Sequence, residues 1–264
     1  MERRLIALDL DGTTLLRDGS MSSVVCQCVR EVLKAGVDVV IATGRAIGTT
    51  MPIVSYLGLE HGFVVCSNGG VTLELDPDEP DGYRILEVVT FDPAPALEML
   101  RGSWPDAVAA VEEIGVGFKV SAPFPDGELV GEVRVVPWAD LSASPATRVT
   151  FRSPTGTAED FLALVERIGL HGVSYAVGFT AWLDINPEGV SKASALEMVR
   201  RRLCVDPAET TAVGDQRNDL EMLHWAARSV AMGNAPDEVK AIADEVTWDV
   251  DQDGLVPVLR SLLR

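Results

Sequence analysis

Short apolar runs alternate with helix-like segments at the start of this chain, and this alternation restricts the fold more than any other feature. Leu5–Leu10, Val37–Ala42 and Phe63–Cys66 are nearly continuous apolar runs, whereas Ser23–Lys34 and Ala46–Leu57 have helical periodicity. Strands that are apolar on both faces are typical of a parallel sheet that helices cover on both sides. The sequence therefore predicts an α/β fold with a Rossmann-like, doubly wound parallel sheet.

The pattern changes near Tyr83 and resumes after Pro187-Glu188-Gly189. Between these points proline and glycine become frequent and the segments alternate apolar with polar residues, which favours a smaller α+β unit with an antiparallel sheet. The most economical organisation is a discontinuous core domain, residues 1–82 and 186–264, with a cap domain inserted at 83–185. The other predicted strands are Tyr83–Thr90, Glu132–Val136, Arg148–Phe151, Thr211–Val213 and Ser229–Ala231, and the other predicted helices are Pro95–Leu100, Ala158–Ile168, Lys192–Leu203, Asp219–Ala226, Asp237–Ala243 and Leu255–Leu263.

Composition excludes several classes of protein. The 264 residues carry 22 Lys and Arg against 40 Asp and Glu, and the formal net charge of −18 argues against binding to nucleic acid or to an anionic membrane surface. No apolar stretch approaches the roughly 18 residues of a membrane span, and no secretory signal is recognisable. The four cysteines are irregularly spaced, which indicates reduced thiols. We expect a soluble cytoplasmic protein, either a monomer or a homodimer.

Two carboxylates, Asp9 and Asp11, follow the first predicted strand in the run LDLDGTT at positions 8–14. Side chains alternate along a strand, but a turn at Gly12 can bring both acids toward one opening. Such a pocket suits a hard cation with oxygen ligands, and Mg²⁺ is the natural choice. A carboxylate beside Mg²⁺ can attack phosphorus while its neighbour transfers the proton of the leaving group. An isolated Asp-x-Asp is more often an acidic turn, so this interpretation depends on three further segments.

The first two of these segments lie at predicted helix starts, where open α/β sheets bind ligands. In Thr43-Gly44-Arg45, a hydroxyl and an amide at a helix start can hydrogen-bond phosphate oxygens, or the threonine can simply cap the helix. Lys192 begins a helix, where a cation opposes the helix dipole unless a phosphate or carboxylates face it. A solvated surface lysine remains the alternative.

The third segment is the run GDQRND at 214–219, which follows a predicted strand. Asp215 and Asp219 are four residues apart and share a face if the turn is helical. Two like charges on one face are unfavourable unless a cation lies near them. The alternative is a helix N-cap, but a cap needs one Asp or Asn, and with Asn218 this turn has three.

Together and in this order, the four segments resemble the motifs of the haloacid dehalogenase superfamily of Mg²⁺-dependent phosphohydrolases. The runs SNGG at 67–70, VAMGNA at 230–235 and DQDGL at 251–255 extend the resemblance to the Cof-like branch, subfamily IIB. That branch inserts a large cap between its second and third motifs. The resemblance covers nearly the whole core, whereas the cap matches in size and position only. Thr14 departs from the pattern, because the branch usually has an apolar residue there.

The resemblance implies catalytic and metal-binding roles for four aspartates. Asp9 is expected to be the nucleophile, and Asp11 the general acid that protonates the leaving alkoxide and then the base that activates water. Mg²⁺ is expected to bind the Asp9 carboxylate, the Asp11 main-chain carbonyl and Asp215. Asp219 is expected to orient a metal-bound water or Lys192, and direct ligation by Asp219 stays open.

The resemblance also implies a phosphate-binding set. Thr43, the Gly44 amide, Lys192 and Asn218 are expected to hold the phosphoryl oxygens. Arg45 is a further candidate for binding the substrate. Within the cap, the candidates for recognising the leaving group are Lys119, Arg134, Arg148, Arg152 and Trp182.

These expectations describe a phosphatase that hydrolyses small phosphate monoesters, with sugar phosphates as the first choice, through an aspartyl-phosphate intermediate. The cap domain would determine substrate specificity. A phosphomutase is one alternative, but mutases of the superfamily more often carry a cap near the first motif, and the segment between Asp11 and Thr43 is too short for one. A receiver-like signalling module is another, but receivers are shorter and lack an aspartate two residues beyond the phosphorylated one.

Overall fold

The computed structural model describes residues 3–125, 128–129, 131–153, 156–157, 159–160, 163, 173–177 and 182–263. They form two compact units. The larger unit comprises the described residues within 1–44, 52–87 and 191–264, and the smaller unit comprises those within 45–51 and 88–190. The helix predicted for 158–168 lies for the most part outside the described residues.

The strands belong to two sheets. In chain order they are β1 (Leu5–Leu8), β2 (Asp38–Ala42), β3 (Gly62–Cys66), β4 (Val71–Leu75), β5 (Tyr83–Val88), β6 (Val108–Glu113), β7 (Gly117–Val120), β8 (Glu132–Val135), β9 (Val149–Arg152), β10 (Val173–Val177), β11 (Trp182–Pro187), β12 (Thr210–Gly214), β13 (Arg228–Ala231) and β14 (Glu245–Val246).

The helices of the described residues are mostly short. In chain order they are α1 (Ser23–Lys34), α2 (Ile47–Leu57), α3 (Ala94–Ser103), α4 (Trp138–Leu141), α5 (Lys192–Leu203), α6 (Leu220–Trp225), α7 (Asp237–Ile242) and α8 (Leu255–Ser261). Short 3₁₀ helices cover Ser67–Gly69, Pro207–Glu209, Arg217–Asp219 and Val250–Gln252. Within the described part of the chain, none of the helices has both the length and the hydrophobicity needed to cross a bilayer.

The larger sheet has the order β14-β13-β12-β1-β2-β3-β4-β5. β1 pairs in parallel with β2 on one side and with β12 on the other, and the residues of β1 are fully buried. Six neighbouring strands of this sheet pair in parallel, namely β3, β2, β1, β12, β13 and β14. Numbered one to six by their order in the chain, they follow the order 3-2-1-4-5-6, which is the doubly wound arrangement. The predicted fold class is therefore confirmed, and the chain reverses its winding direction at β1.

Three strands of this sheet differ from the sequence-based expectation. β4 and β14 were not predicted. β4 pairs antiparallel with β3, with Cys66 opposite Val71, after the tight Ser67–Gly69 turn, and β14 pairs in parallel with β13. β5, which the sequence pattern grouped with the inserted unit, lies at the edge of the larger sheet. Its alternating pattern fits an edge strand of either sheet, because the period of two reports only that one face is buried.

The smaller unit contains a six-stranded sheet with the order β10-β11-β9-β6-β7-β8. Its pairings are antiparallel except that β8 lies parallel to β7. Alternate residues of β6, β9 and β11 pack with α3 in one apolar core. Because side chains alternate along a strand, the intervening residues, which include Glu112, Arg148 and Asp184, lie on the opposite face.

Candidate active site

Three elements of the larger unit bring charged side chains together at one edge of its sheet. Asp9 directly follows β1, and Asp215 directly follows β12, which pairs with β1 in parallel with Leu8 opposite Val213. Lys192 is the first residue of α5. Since parallel neighbours end at the same edge of a sheet, the side chains that follow β1 and β12 lie side by side where α5 begins.

Lys192 is completely buried between two carboxylates. Its Nζ lies 2.6 Å from Asp9 Oδ1 and 2.7 Å from Asp219 Oδ1, and its exposed fraction is 0%. Burial lowers the pKa of this lysine, but the negative charges of Asp219 and Asp9 outweigh burial, so the net pKa is raised and Lys192 stays charged. These two acids explain why the chain tolerates a cation in the first turn of a helix.

Asp219 uses both of its carboxylate oxygens within the protein. Oδ1 accepts from Lys192, and Oδ2 accepts from the backbone N–H groups of Asp215 and Gln216, each at 2.9 Å. A Cβ on Gly214 would lie 2.5 Å from Asp219 Cγ, so glycine is required where β12 ends. Asp219 therefore orients Lys192 and the turn that carries Asp215.

Asp215 is buried among donors from three segments. Its Oδ1 accepts from Thr13 Oγ1 at 3.2 Å, and its Oδ2 accepts from Gln216 Nε2 and Asn234 Nδ2, both at 2.9 Å. Gly12 has a φ of +80°, and a Cβ there would lie 2.3 Å from Asp215 Oδ2. A glycine is thus needed for both its backbone conformation and the close approach of this carboxylate.

The buried cluster carries more negative than positive charge. One oxygen from each of Asp9, Asp215 and Asp219 lies within 4.8 Å of the others, with Lys192 as their common cation. Burial, followed by the charge of Asp219, raises the pKa of Asp9 well above its usual range and the pKa of Asp215 to about 7. Surplus carboxylate oxygen at a buried site fits a hard divalent cation such as Mg²⁺. Asp219 is held by the Lys192 cation and two main-chain N–H groups, whereas the hydrogen bonds to the Asp215 carboxylate come from neutral side chains, so Asp9 and Asp215 are the carboxylates that fit best as ligands.

Asp11 lies in a different environment from Asp9. The turn after β1 is held by the Leu10 carbonyl, which accepts from the N–H groups of Thr14 at 2.9 Å and Leu15 at 2.8 Å, and the Thr14 hydroxyl donates to the Asp9 carbonyl at 2.6 Å. This turn leaves Asp9 4% exposed and Asp11 exposed. Two nearby carboxylates in unlike surroundings can take different roles, one as nucleophile and one as proton carrier.

The Thr43-Gly44 turn lies beside the Asn218 carboxamide. The Thr43 N–H donates to the Val65 carbonyl at 2.9 Å, and the Thr43 carbonyl accepts from the Asn68 N–H at 3.1 Å. Asn218 Nδ2 donates to Asn68 Oδ1 at 2.9 Å, and a Cβ on Gly44 would lie 3.0 Å from that oxygen. Two of the predicted phosphate-binding segments are thus joined through Asn68.

The remaining predicted substrate-binding residues belong to the smaller unit. Arg45 is half-buried and groups with the smaller unit, so its part in substrate binding stays a prediction. The five candidates in the predicted cap each have an acidic partner within the smaller unit. These pairs are Lys119 with Glu113 (3.1 Å), Arg134 with Glu113, Arg148 with Glu112 (3.2 Å), Arg152 with Glu128 (3.0 Å) and Trp182 with Asp184 (3.0 Å).

Sequence reasoning assigned no role to Asn68 and Asn234, although both lie in runs that resemble the Cof-like branch. Asn234 Nδ2 donates to the Gly12 carbonyl as well as to Asp215, both at 2.9 Å, and its Oδ1 accepts from the Val250 N–H at 2.9 Å. Each amide meets partners that are far away in the chain. The sequence signal that could have identified Asn68 and Asn234 is an asparagine next to small residues, as in SNGG and VAMGNA.

Comparison with known proteins finds similar sequences and structures over nearly the whole chain. A family model described as haloacid dehalogenase-like hydrolase matches residues 6–87 and 141–259. The phosphatase YwpJ of Bacillus subtilis is 29% identical over 296 residues, covering 98% of this chain and 100% of YwpJ. The 5-amino-6-(5-phospho-D-ribitylamino)uracil phosphatase YcsE of the same organism is 27% identical, covering 97% of this chain and 94% of YcsE. The solved structure of a haloacid dehalogenase-like hydrolase from B. subtilis superposes with a TM-score of 0.83 at 25% identity, covering 97% of this chain and 99% of that one.

Proposed function

This chain belongs to the haloacid dehalogenase-like hydrolases, in their Cof-like branch, and we propose that it is a Mg²⁺-dependent phosphatase of small phosphate monoesters that forms an aspartyl-phosphate. The observation that carries this proposal is the buried cluster of three carboxylates around Lys192, with Asp9 at the carboxyl end of the central strand. YwpJ and YcsE, both named phosphatases, support the reaction type.

Asp9 is assigned as the nucleophile. Lys192 donates to Asp9 Oδ1 and holds the carboxylate in one orientation, so Oδ2 is the oxygen assigned to attack phosphorus. The Oδ2–P bond forms as the P–O bond to the leaving group breaks, and Asp11 donates a proton to the departing alkoxide. In the second half, Asp11 takes a proton from water, whose oxygen attacks phosphorus. The Oδ2–P bond breaks, which releases phosphate and restores Asp9.

Positive charge and hydrogen-bond donors balance the charge of the transferring group. Mg²⁺ held by the Asp9 and Asp215 carboxylates and the Asp11 carbonyl would neutralise phosphoryl charge when bound. Lys192 supplies the cation that belongs to the chain itself, and Asp219 holds it there. The assigned donors to the phosphoryl oxygens are Thr43, the Gly44 amide, Asn218 and Lys192.

Substrate choice is assigned to the inserted segment. In this proposal the inserted segment predicted at 83–185 forms the cap domain, apart from β5, which lies in the larger sheet, and residues 1–82 and 186–264 form the core that carries the chemistry. Sugar phosphates and related polyol phosphates are the preferred class, because the name of YcsE specifies a phosphate on a ribityl chain. Arg45 is proposed to contribute to substrate binding.

Phosphate release from a panel of compounds tests the proposal. The panel contains sugar phosphates, nucleotides, pyridoxal phosphate and an aryl phosphate, each assayed with Mg²⁺ and with a chelator in its place. We expect Mg²⁺-dependent release with a preference for phosphates on polyhydroxylated carbon chains. Movement of the phosphoryl group within a sugar phosphate without release would indicate a phosphomutase. A folded protein that releases phosphate from no compound would contradict the proposal.

A further inference from the structure

The turn after β3 combines burial with a left-handed backbone. Ser67 and Asn68 both have a φ of +53°, and Gly69 follows with a φ of +100°. The left-handed region is unfavourable for most L-residues, and asparagine tolerates it better than most other side chains do. Gly69 is needed because a Cβ there would lie 2.2 Å from the Ser191 carbonyl oxygen. Non-glycine residues held in this conformation inside a protein suggest that their side chains have a task.

Asn68 makes contacts in two directions from this turn. Its backbone N–H donates to the Thr43 carbonyl at 3.1 Å, and its side-chain Oδ1 accepts from Asn218 Nδ2 at 2.9 Å. Gly44 leaves room for the Asn68 amide, since a Cβ there would lie 3.0 Å from Oδ1. One buried residue thus fixes both a main-chain segment and a side chain that the proposed mechanism assigns to the phosphoryl oxygens.

We propose that Asn68 is a positioning residue that orients the Asn218 carboxamide for phosphate. A carboxamide has two N–H donors and one carbonyl acceptor. With one N–H held by Asn68 Oδ1, the amide cannot rotate to place its own carbonyl toward an anion, and its second N–H serves the phosphoryl oxygen. Without Asn68, the amide can turn either its donors or its repelling oxygen toward phosphate. This inference rests on the proposed function of Asn218.

A double-mutant cycle tests the inference. kcat and KM are measured for the best panel substrate with the wild type, Asn68→Gly, Asn218→Ala and the double variant. Glycine at position 68 keeps the left-handed backbone and removes only the side chain. We expect Asn218→Ala to lower kcat/KM by roughly 10- to 100-fold and Asn68→Gly by about tenfold. The double variant should match Asn218→Ala within about twofold, because the proposed role of the Asn68 side chain is exerted through Asn218.

Binding of inorganic phosphate to the same four proteins, measured by calorimetry with Mg²⁺ present, separates this inference from the proposed activity. The cycle can be read from phosphate affinity even where no panel compound is hydrolysed, and the same non-additive pattern is expected. Additive losses from the two substitutions would overturn the positioning role. A wild-type protein that binds no phosphate would overturn it as well.

Cys204→Gly is the matched control, since Cys204 also has a left-handed backbone, with a φ of +55°, at the end of α5. It should leave kcat/KM within about twofold of the wild type. If Asn68→Gly does not fold, Asn68→Ala replaces it, because alanine removes the same carboxamide without adding a charge. The cycle of Asn68→Ala with Asn218→Ala should show the same non-additive pattern, and additive losses would contradict the inference.

Discussion

Each unit of this protein buries one cation between two carboxylates. In the larger unit Lys192 lies 2.6 and 2.7 Å from Asp9 and Asp219, with no exposed surface. In the smaller unit Arg148 lies 3.2 Å from Glu112 and 3.8 Å from Asp184, and its side chain is 7% exposed. Each cluster thus consists of one cation and two carboxylates. The chemical difference between the two clusters must come from the residues around them.

The residues around the two clusters differ in charge. Around Lys192 lies a third buried carboxylate, Asp215, and burial together with mutual repulsion raises the pKa of Asp9 and of Asp215. Around Arg148 the neighbours are donors and an aromatic ring. Thr150 and Trp182 donate to Asp184 Oδ1 at 2.6 and 3.0 Å, and the guanidinium carbon lies 5.4 Å from the centre of the Phe118 ring.

This difference in neighbours separates a reactive cluster from a stabilising one. A buried cluster with surplus like charge is unfavourable alone and gains from a bound cation. The Arg148 cluster has no third carboxylate among these neighbours, and Asp184 accepts from neutral donors, so this cluster has less to gain from a bound cation. We infer that the Lys192 cluster performs the chemistry and that the Arg148 cluster stabilises the smaller sheet.

The largest expected contrast comes from removing one carboxyl charge from each cluster. Asp9→Asn should lower kcat by on the order of 10⁴-fold or more with the fold retained, because it keeps the shape and removes the nucleophile. Glu112→Gln, its matched control, should keep kcat within about threefold and lower the melting temperature. Steady-state kinetics and thermal unfolding of both variants give the comparison. Hydrolysis by a pure preparation of Asp9→Asn at the wild-type rate would rule out the nucleophile assignment.

Removing the cations is the next test. Lys192→Met should lower kcat/KM by on the order of 10³-fold, since the positive charge beside the transferring group is lost. Arg148→Met should instead lower the free energy of unfolding by about 3–5 kcal/mol, because two buried acids lose their cation. Its kcat/KM should stay within about tenfold of the wild type below the melting temperature. A stable Arg148→Met protein with a strongly raised KM would break the comparison and assign Arg148 to substrate binding.

Substitution of one asparagine in each unit tests how the proposed metal ligands are positioned. Asn234→Ala removes a donor to Asp215 Oδ2 and to the Gly12 carbonyl, and it should weaken Mg²⁺ binding by roughly 10- to 100-fold. Asn186→Ala is the control, because that amide donates to the Thr147 carbonyl in the smaller unit at 3.2 Å. Calorimetric titration with Mg²⁺ should show no change for Asn186→Ala. Equal Mg²⁺ affinities of Asn234→Ala and the wild type would contradict the positioning of Asp215 by Asn234.

The smallest expected effect is a pH dependence of Mg²⁺ binding. The pKa of Asp215 is raised to about 7, so the metal-free folded protein favours the protonated acid, and the stability gained from this proton is lost as the pH rises from about 4 to about 7. Mg²⁺ must displace that proton below about pH 7. Affinity at pH 6 should therefore be about tenfold weaker than at pH 8. A constant affinity over this range would show that Asp215 does not hold the proton.

The parts of the site that sequence could predict are those tied to strand ends and helix starts. Such positions are occupied by Asp9, Asp215 and Lys192. The alternation of apolar strands with helices predicts that these positions lie at the same end of the parallel strands. The resemblance assigned separate tasks to Asp215 and Asp219, but it left open whether Asp219 orients Lys192 or a metal-bound water, because that depends on which oxygen meets Lys192 and which meets a backbone N–H.

Long-range polar contacts and the sheet to which a strand belongs escaped prediction for physical reasons. Asn68 and Asn234 hydrogen-bond with residues far away in the chain, and no periodicity reports such partners. β5 has no buried residue, so its sequence does not show which sheet it joins. β6 and β7 pair locally as a hairpin that was not predicted, although the segment contains a short apolar run.

Trapping the phosphoenzyme is the most direct test of Asp9 as the nucleophile. Asp11→Asn should still allow Asp9 to attack a good substrate but should slow the release of phosphate, because no base activates water. After brief incubation with an aryl phosphate and Mg²⁺, and rapid acid quenching, mass spectrometry should find one phosphoryl group on the peptide that contains Asp9. The Asp9→Asn/Asp11→Asn protein should carry none. A phosphoryl group on another residue, or unchanged turnover by Asp11→Asn without a trapped intermediate, would contradict the account.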